Sequence, residues 1–191
     1  MNAVTTRIIR VLDLSLSLVG LIAFLPIGAV IVLIGYFDTG SPVFVQERVG
    51  KNMQSFRLYK FRTMKIGTQS VATHLVNSNS TTKLGALLRR TKLDELPQLW
   101  NVFIGNMSLV GPRPNLLNQD VLIQERTGRG VYNVRPGITG LAQILEIDMS
   151  TPELLANVDA RMIKAMTISK YFKIIFLTIL GRGSGDRIVV K

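Results

Sequence analysis

Apolar positions dominate the start of the chain, where Leu14 to Phe37 form 24 residues without a charge. As a helix this run is roughly 36 Å long at 1.5 Å per residue, enough to cross a hydrocarbon core of about 30 Å. Pro26 stands near its middle, where it removes a backbone hydrogen bond and crowds the preceding turn. Gly20, Gly28 and Gly35 loosen the helix further, so a kink is expected. The run is too long for the apolar part of a cleaved signal peptide and closes on Tyr36-Phe37-Asp38-Thr39 without a small-residue cleavage pattern. Cations flank both ends, Arg7 and Arg10 before it and Arg48, Lys51 and Arg57 after it, so the positive-inside bias sets no orientation. On the residues alone a simple span leads, and an anchor that enters and returns also fits.

Beyond the anchor, taken as residues 1–38, shorter patterns predict a single domain over 39–191. Pro42 to Gln46 and Ser55 to Arg62 are short runs rich in β-branched and aromatic residues, separated by the turn signal Gly50-Lys51-Asn52, which predicts a hairpin. Its second strand would place Arg57, Tyr59 and Phe61 on one face and Leu58, Lys60 and Arg62 on the other. Ser80 to Arg90 reads as a helix. A further helix follows with Asp94 near its N-cap, because Pro97 then falls where no intrahelical donor is lost; a start at Thr91 would cost a hydrogen bond. Gly105-Asn106, Gly111-Pro112-Arg113-Pro114 and Arg135 to Gly140 read as turns, the second holding Arg113 rigidly between prolines. Thr151-Pro152-Glu153 announces a helix to about Ala165. The last helix, Ile168 to Leu180, either lies in a membrane interface or fills the core, and Gly181-Arg182-Gly183-Ser184-Gly185 ends it. The fold class is thus α/β, mostly helical with a small β-hairpin.

Composition narrows the setting. The net charge of +11 favours an anionic partner: nucleic acid, an acidic membrane surface or phosphorylated substrates. No zinc motif, RNP-like segment or basic-aromatic stripe supports nucleic acid. With no cysteine the chain has no disulfide, thiolate nucleophile or cysteine metal site. Its single histidine, His74, lies in the polar run Gln69 to Lys83, read as an exposed loop, so histidine-centred catalysis is not expected.

The residues with most chemistry are the adjacent carboxylates Asp94 and Glu95, in Thr91-Lys92-Leu93-Asp94-Glu95-Leu96-Pro97-Gln98-Leu99. Arg89, Arg90, Lys92 and Arg113 lie close in sequence, so a carboxylate there can meet a phosphate without being repelled from it. The pattern points to phosphoryl transfer.

Four segments, Phe56 to Met64, Leu93 to Gln98, Val110 to Pro114 and Val134 to Gly140, closely resemble the bacterial sugar transferase family, the monotopic polyprenyl-phosphate phosphoglycosyl transferases. The likeness covers nearly the whole chain in order, and the chain resembles a short member. It implies a re-entrant helix-break-helix anchor with both ends cytoplasmic, and a catalytic domain with interfacial amphipathic helices on the cytoplasmic face of the bacterial inner membrane. It also implies transfer of a sugar-1-phosphate from a UDP-sugar to undecaprenyl phosphate, releasing UMP, as a first membrane step of glycan synthesis for O-antigen, capsule, exopolysaccharide or glycoprotein. In such enzymes the aspartate corresponding to Asp94 attacks the sugar-bearing phosphate, and the glutamate corresponding to Glu95 is associated with Mg²⁺. Membrane phospholipids and downstream glycosyltransferases follow as partners, and no nucleic acid does. By motif position and charge, Lys60, Arg62, Arg89 and Arg113 are the candidates for phosphate or nucleotide contacts, Arg89 only if a turn brings it back to the acid pair. Arg90 and Lys92 are read as solvated or facing lipid headgroups.

A carboxylate is a competent phosphoryl acceptor, and Mg²⁺ held by one or two carboxylates and substrate oxygens would neutralise a diphosphate. The sequence departs from many relatives after Gly140: Leu141 and Gln143-Ile144-Leu145-Glu146-Ile147-Asp148 stand where a tryptophan and a Gln-Val-Asn-Gly-Arg segment are usual. That removes an arginine and predicts a different sugar pocket. Asp159 matches a recurrent family aspartate and equally suits a helix surface. Two other readings remain: a noncatalytic scaffold of a glycan assembly complex, and a one-step transferase using Asp94 only as a metal ligand.

Overall fold

The computed structural model describes residues 2–68 and 80–183, and His74 falls outside them. Helix α1 (Ala3–Thr39) holds 37 residues, capped at its start by the Asn2 side chain, which accepts from the Thr5 N–H, and closed by left-handed Gly40. Helical backbone continues through Pro26, so the expected break is not an interruption of the helix. A narrow stripe of α1 is buried, namely Ile9, Asp13, Ser17, Ile31 and Gly35, while Val19, Ile22, Leu25, Leu33 and Phe37 stand exposed. This stripe runs along the remainder of the molecule: a β-carbon on Gly20 would lie 3.0 Å from Leu99, and one on Gly35 3.0 Å from Pro42.

Strands β1 (Val43–Val49) and β2 (Ser55–Phe61) form the expected antiparallel hairpin, in register from Val43 with Phe61 to Val49 with Ser55. The turn between them takes Asn52 and Met53 into the left-handed region. One face of β2 packs Phe56 and Leu58 against Val102 and Met107, and Phe61 on the other face packs against Ile31 and Leu88. Helix α2 (Lys83–Thr91) starts at Thr82, whose hydroxyl accepts from the Gly85 N–H, and ends at Lys92 with φ 58°. A 3₁₀ turn (Leu93–Glu95) follows, then the short helix α3 (Gln98–Phe103) with Pro97 at its N-cap. The acid pair therefore precedes the helix instead of starting it, because left-handed Lys92 tightens the chain into a turn and leaves Pro97, which has no N–H to contribute, at the cap.

Strand β3 (Ser108–Val110) pairs in parallel with β4 (Gly137–Thr139). The sequence pattern reads both segments as turns, since each is three residues long and framed by glycine or proline. Glycine permits the pairing to extend: a β-carbon on Gly111 would come within 2.6 Å of the Arg135 carbonyl oxygen. Helices α4 (Asp120–Gly128), α5 (Leu141–Ile144), α6 (Pro152–Lys164) and α7 (Ile168–Ile179) complete the fold. The last two match expectation, α6 through Pro152 in its first turn and α7 through the left-handed Gly181 that follows it. Helix α7 buries Tyr171 and Ile174 and exposes Phe172, Phe176 and Ile179, so one face serves the core and the other stays apolar and open.

Candidate active site

The acid pair is fixed from both sides. On the α3 side the buried Asn101 amide donates to the Arg57 carbonyl at 2.7 Å and accepts from the Tyr59 N–H at 3.1 Å, tying the helix to β2 as another strand would. On the hairpin side the Val49 N–H donates to the Asn115 carbonyl at 3.0 Å, tying the end of β1 to the loop that carries Arg113. These ties bring Lys60 and Arg113, distant in sequence, to one carboxylate: Lys60 Nζ lies 3.3 Å and an Arg113 nitrogen 2.9 Å from Glu95 Oε1. All three side chains are at most about a fifth exposed, so the attraction is little screened. Asp94 is buried beside them at 6% exposure.

The remaining candidates divide. Arg89 Nε donates to the buried Thr63 hydroxyl at 2.9 Å, and left-handed Lys92 makes the chain turn between Arg89 and Asp94. Arg62 is used elsewhere: its Nε donates to the Ser41 carbonyl at 2.7 Å and its guanidinium lies over the Phe44 ring at 5.4 Å. It anchors the link between α1 and β1, and among the described residues no bond joins it to Glu95. Charge and alternation alone do not distinguish it from Lys60. Arg90 is exposed, in keeping with its solvated reading.

A cavity of about 200 Å³ opens at Glu95, with Lys92, Arg113 and Arg182 as its cations and Phe24, Leu96 and Leu99 among its apolar walls. Lys92, read from sequence as solvated, is half-buried and lines this cavity. Its ammonium, donating to the Arg182 carbonyl at 3.1 Å, titrates below the usual lysine value because of burial first, with Arg113 adding to the shift and Glu95 opposing it. Gln143 enters the same wall from the divergent segment. Its amide nitrogen donates to the Ile138 carbonyl at 2.9 Å, which leaves its buried oxygen without a hydrogen-bond partner. The segment that lacks the usual arginine therefore still supplies a polar group.

Behind Arg113 lies a residue that the sequence reading missed. Arg126, 1% exposed, donates to the Arg113 carbonyl at 2.8 Å, to Asn115 Oδ1 at 3.0 Å and to Asp159 Oδ2 at 2.7 Å. Asp159 is accordingly neither on a helix surface nor beside the acid pair, but holds the arginine that holds the Arg113 backbone. Burial raises its carboxyl above the usual range and the Arg126 guanidinium opposes that rise. The i and i+3/i+4 apolar spacing of α6 offers the one sequence signal, since it puts Asp159 on the face of Leu155, Val158 and Met162.

The family model for the bacterial sugar transferases matches residues 4–182. The chain belongs to that family. The match spans α1, both sheets and α7, so every element that frames Glu95 lies within it. This sugar transferase is 38% identical over 145 residues to a Bacillus subtilis (strain 168) protein provisionally named an undecaprenyl-phosphate N-acetylgalactosaminyl 1-phosphate transferase, a match covering 71% of this chain and 81% of the relative. It is 37% identical to the undecaprenyl-phosphate glucose phosphotransferase of Komagataeibacter xylinus, over 89% of this chain and 35% of that one. It is 36% identical to the UDP-glucose:undecaprenyl-phosphate glucose-1-phosphate transferase of Klebsiella pneumoniae, over 94% of this chain and 41% of the relative. The chain is an enzyme of the phosphotransferase type, and its long apolar α1 fits association with a membrane.

Among the described residues no cluster of three metal-ligating side chains occurs. Mg²⁺ does not require one, because it binds through one or two carboxylates and completes its shell with water and substrate phosphate. The Glu95 carboxylate, which lines the cavity, suits that mode.

Proposed function

We propose that this sugar transferase moves a sugar-1-phosphate from a UDP-sugar to undecaprenyl phosphate, with Asp94 as the covalent carrier. The observation that carries this reading is the meeting of Lys60 and Arg113 on Glu95, next to buried Asp94, at a cavity whose walls are both cationic and apolar. An Asp94 oxygen attacks the phosphorus that bears the sugar, the bond from that phosphorus to the bridging oxygen breaks, and UMP leaves. A phosphate oxygen of the lipid then attacks the aspartyl-linked phosphorus, and Asp94 departs as a free carboxylate. Arg113, Lys60 and Arg89 are suited to hold the phosphates, and Arg113 and Lys60 hold Glu95 in place. Glu95 would hold Mg²⁺, which neutralises diphosphate charge in such reactions.

Both ends of α1 pack on the same domain, Ile9 with Val110 and Tyr171, and Ile31 with Phe61 and Leu88. This supports a re-entrant anchor, because a straight crossing of about 30 Å would drag part of that domain into the bilayer. The exposed apolar side chains of Trp100 on α3, of Ile104 just after it, and of Phe172 and Phe176 on α7 support seating at the phospholipid interface, with the domain on the cytoplasmic side where nucleotide sugars are made. The product would enter synthesis of a surface glycan through downstream glycosyltransferases.

The deciding experiment measures UMP release by the purified enzyme in nanodiscs, given a panel of UDP-sugars, undecaprenyl phosphate and Mg²⁺. Asp94→Asn should lower release by about 10³-fold or more, and EDTA should abolish it. Trapping a phosphosugar on Asp94 separates the two-step route from a single displacement. No release from any donor would instead favour a noncatalytic scaffold.

A further inference from the structure

A second cavity, of about 330 Å³, lies across the Gly111-Pro112-Arg113 loop from the first: Gly111 and Pro112 line it, whereas Arg113 lines the other. Its charged lining comes from three separate parts of the chain, Arg10 on α1, Lys51 in the hairpin turn and Arg135 before β4. The two arginines converge on the exit of α3. Arg10 donates to the Val102 and Phe103 carbonyls at 2.8 and 3.0 Å, and Arg135 Nε donates to the Gly105 carbonyl at 2.7 Å. Those bonds fix the guanidinium planes and leave the terminal nitrogens of Arg135, and the Lys51 ammonium, without a partner among the described residues. The one carboxylate in the lining, Asp13, is engaged by the Leu109 N–H at 2.9 Å and the Tyr171 hydroxyl at 2.8 Å. Three cations against one occupied carboxylate form an anion site, and a fork of guanidinium donors suits phosphate in particular. The remainder of the lining is apolar, with Ile9, Met162 and Met166, and Arg10 precedes the apolar run beginning at Leu14 by about one helical turn.

We propose that this cavity is a second phosphate-binding site, separate from the acid pair, which takes a phosphate ester at the level of the membrane surface. Such a group comes either from the headgroup of an anionic phospholipid or from a soluble phosphate. The proposal does not depend on the reading of Asp94, since the two cavities share no lining residue.

The test uses the full chain carrying Arg113→Ala, which weakens anion binding at the first cavity, in a neutral detergent. Thermal midpoint is followed while inorganic phosphate, short-chain phosphatidylglycerol or short-chain phosphatidylcholine is added. A saturable rise is expected, with the apparent Kd weakened fivefold or more by Lys51→Ala and by Arg135→Gln. Lys51 is exposed and its ammonium makes no bond among the described residues, so its variant keeps the fold. Saturation by phosphate alone identifies a soluble ligand and saturation by phosphatidylglycerol alone identifies a lipid; either supports the site. No saturable rise with any probe, or a Kd changed less than fivefold by Lys51→Ala, overturns it.

Discussion

Arg126 is 1% exposed and holds the Arg113 carbonyl from behind, so on the proposed reading it acts on phosphate only through Arg113. Its partner Asp159 is equally buried, so removing either charge alone strands the other in the interior. Asp159→Asn should cost about 3–5 kcal/mol in urea unfolding, whereas the double change Arg126→Met with Asp159→Leu should cost less, because it leaves no stranded charge. The double variant should still raise KM for the UDP-sugar, since the Arg113 carbonyl has lost its donor; an unchanged KM would reduce the pair to a structural role. At the opposite face of Arg113, Glu95→Gln replaces the charge that gathers Lys60 and Arg113, and UMP release should fall at least about tenfold with a higher Mg²⁺ requirement.

Among the elements, α7 is joined to α1 by the Tyr171 hydroxyl, which donates to Asp13 at 2.8 Å. Burial, and then the Asp13 carboxylate, push that phenol well above its ordinary value. Below about pH 10 the phenol keeps its proton folded or unfolded; above it only the unfolded chain releases the proton, so stability falls with rising pH by at most about 1.4 kcal/mol per unit. Tyr132, raised chiefly by burial, adds in the same direction, so Tyr171→Phe should reduce the alkaline slope of the unfolding free energy without removing it. A second element-level prediction concerns the parallel pair: Gly111→Ala sets a methyl against the backbone of Arg135 and Gly137, and should lower the thermal midpoint by several degrees. The hairpin and the helices after Thr82 and Thr151 were legible in sequence because alternation, caps and proline act over a few residues. The β3–β4 pair was not, since its partners lie far apart along the chain and its three-residue strands carry no period. Motif position singled out Lys60, Arg62, Arg89 and Arg113 alike, and only the fold shows that Lys60 and Arg113 meet Glu95 while Arg62 turns to Ser41, Lys92 lines the cavity and Arg126 holds Arg113.

For the whole molecule, the absence of cysteine makes orientation directly measurable. Single cysteines at Ala3 and Asp38, both exposed, should label together from the cytoplasmic side of membrane vesicles; labelling from opposite sides would establish a crossing. The contact between Asp13 and Tyr171 joins positions 158 residues apart. During synthesis α1 leaves the ribosome before the rest of this domain, and its carboxylate gains the Leu109 N–H with β3 and the Tyr171 hydroxyl only with α7. A chain halted before α7 would therefore keep a buried carboxylate with its Tyr171 donor missing, and should hold α1 to the domain less firmly than the finished chain.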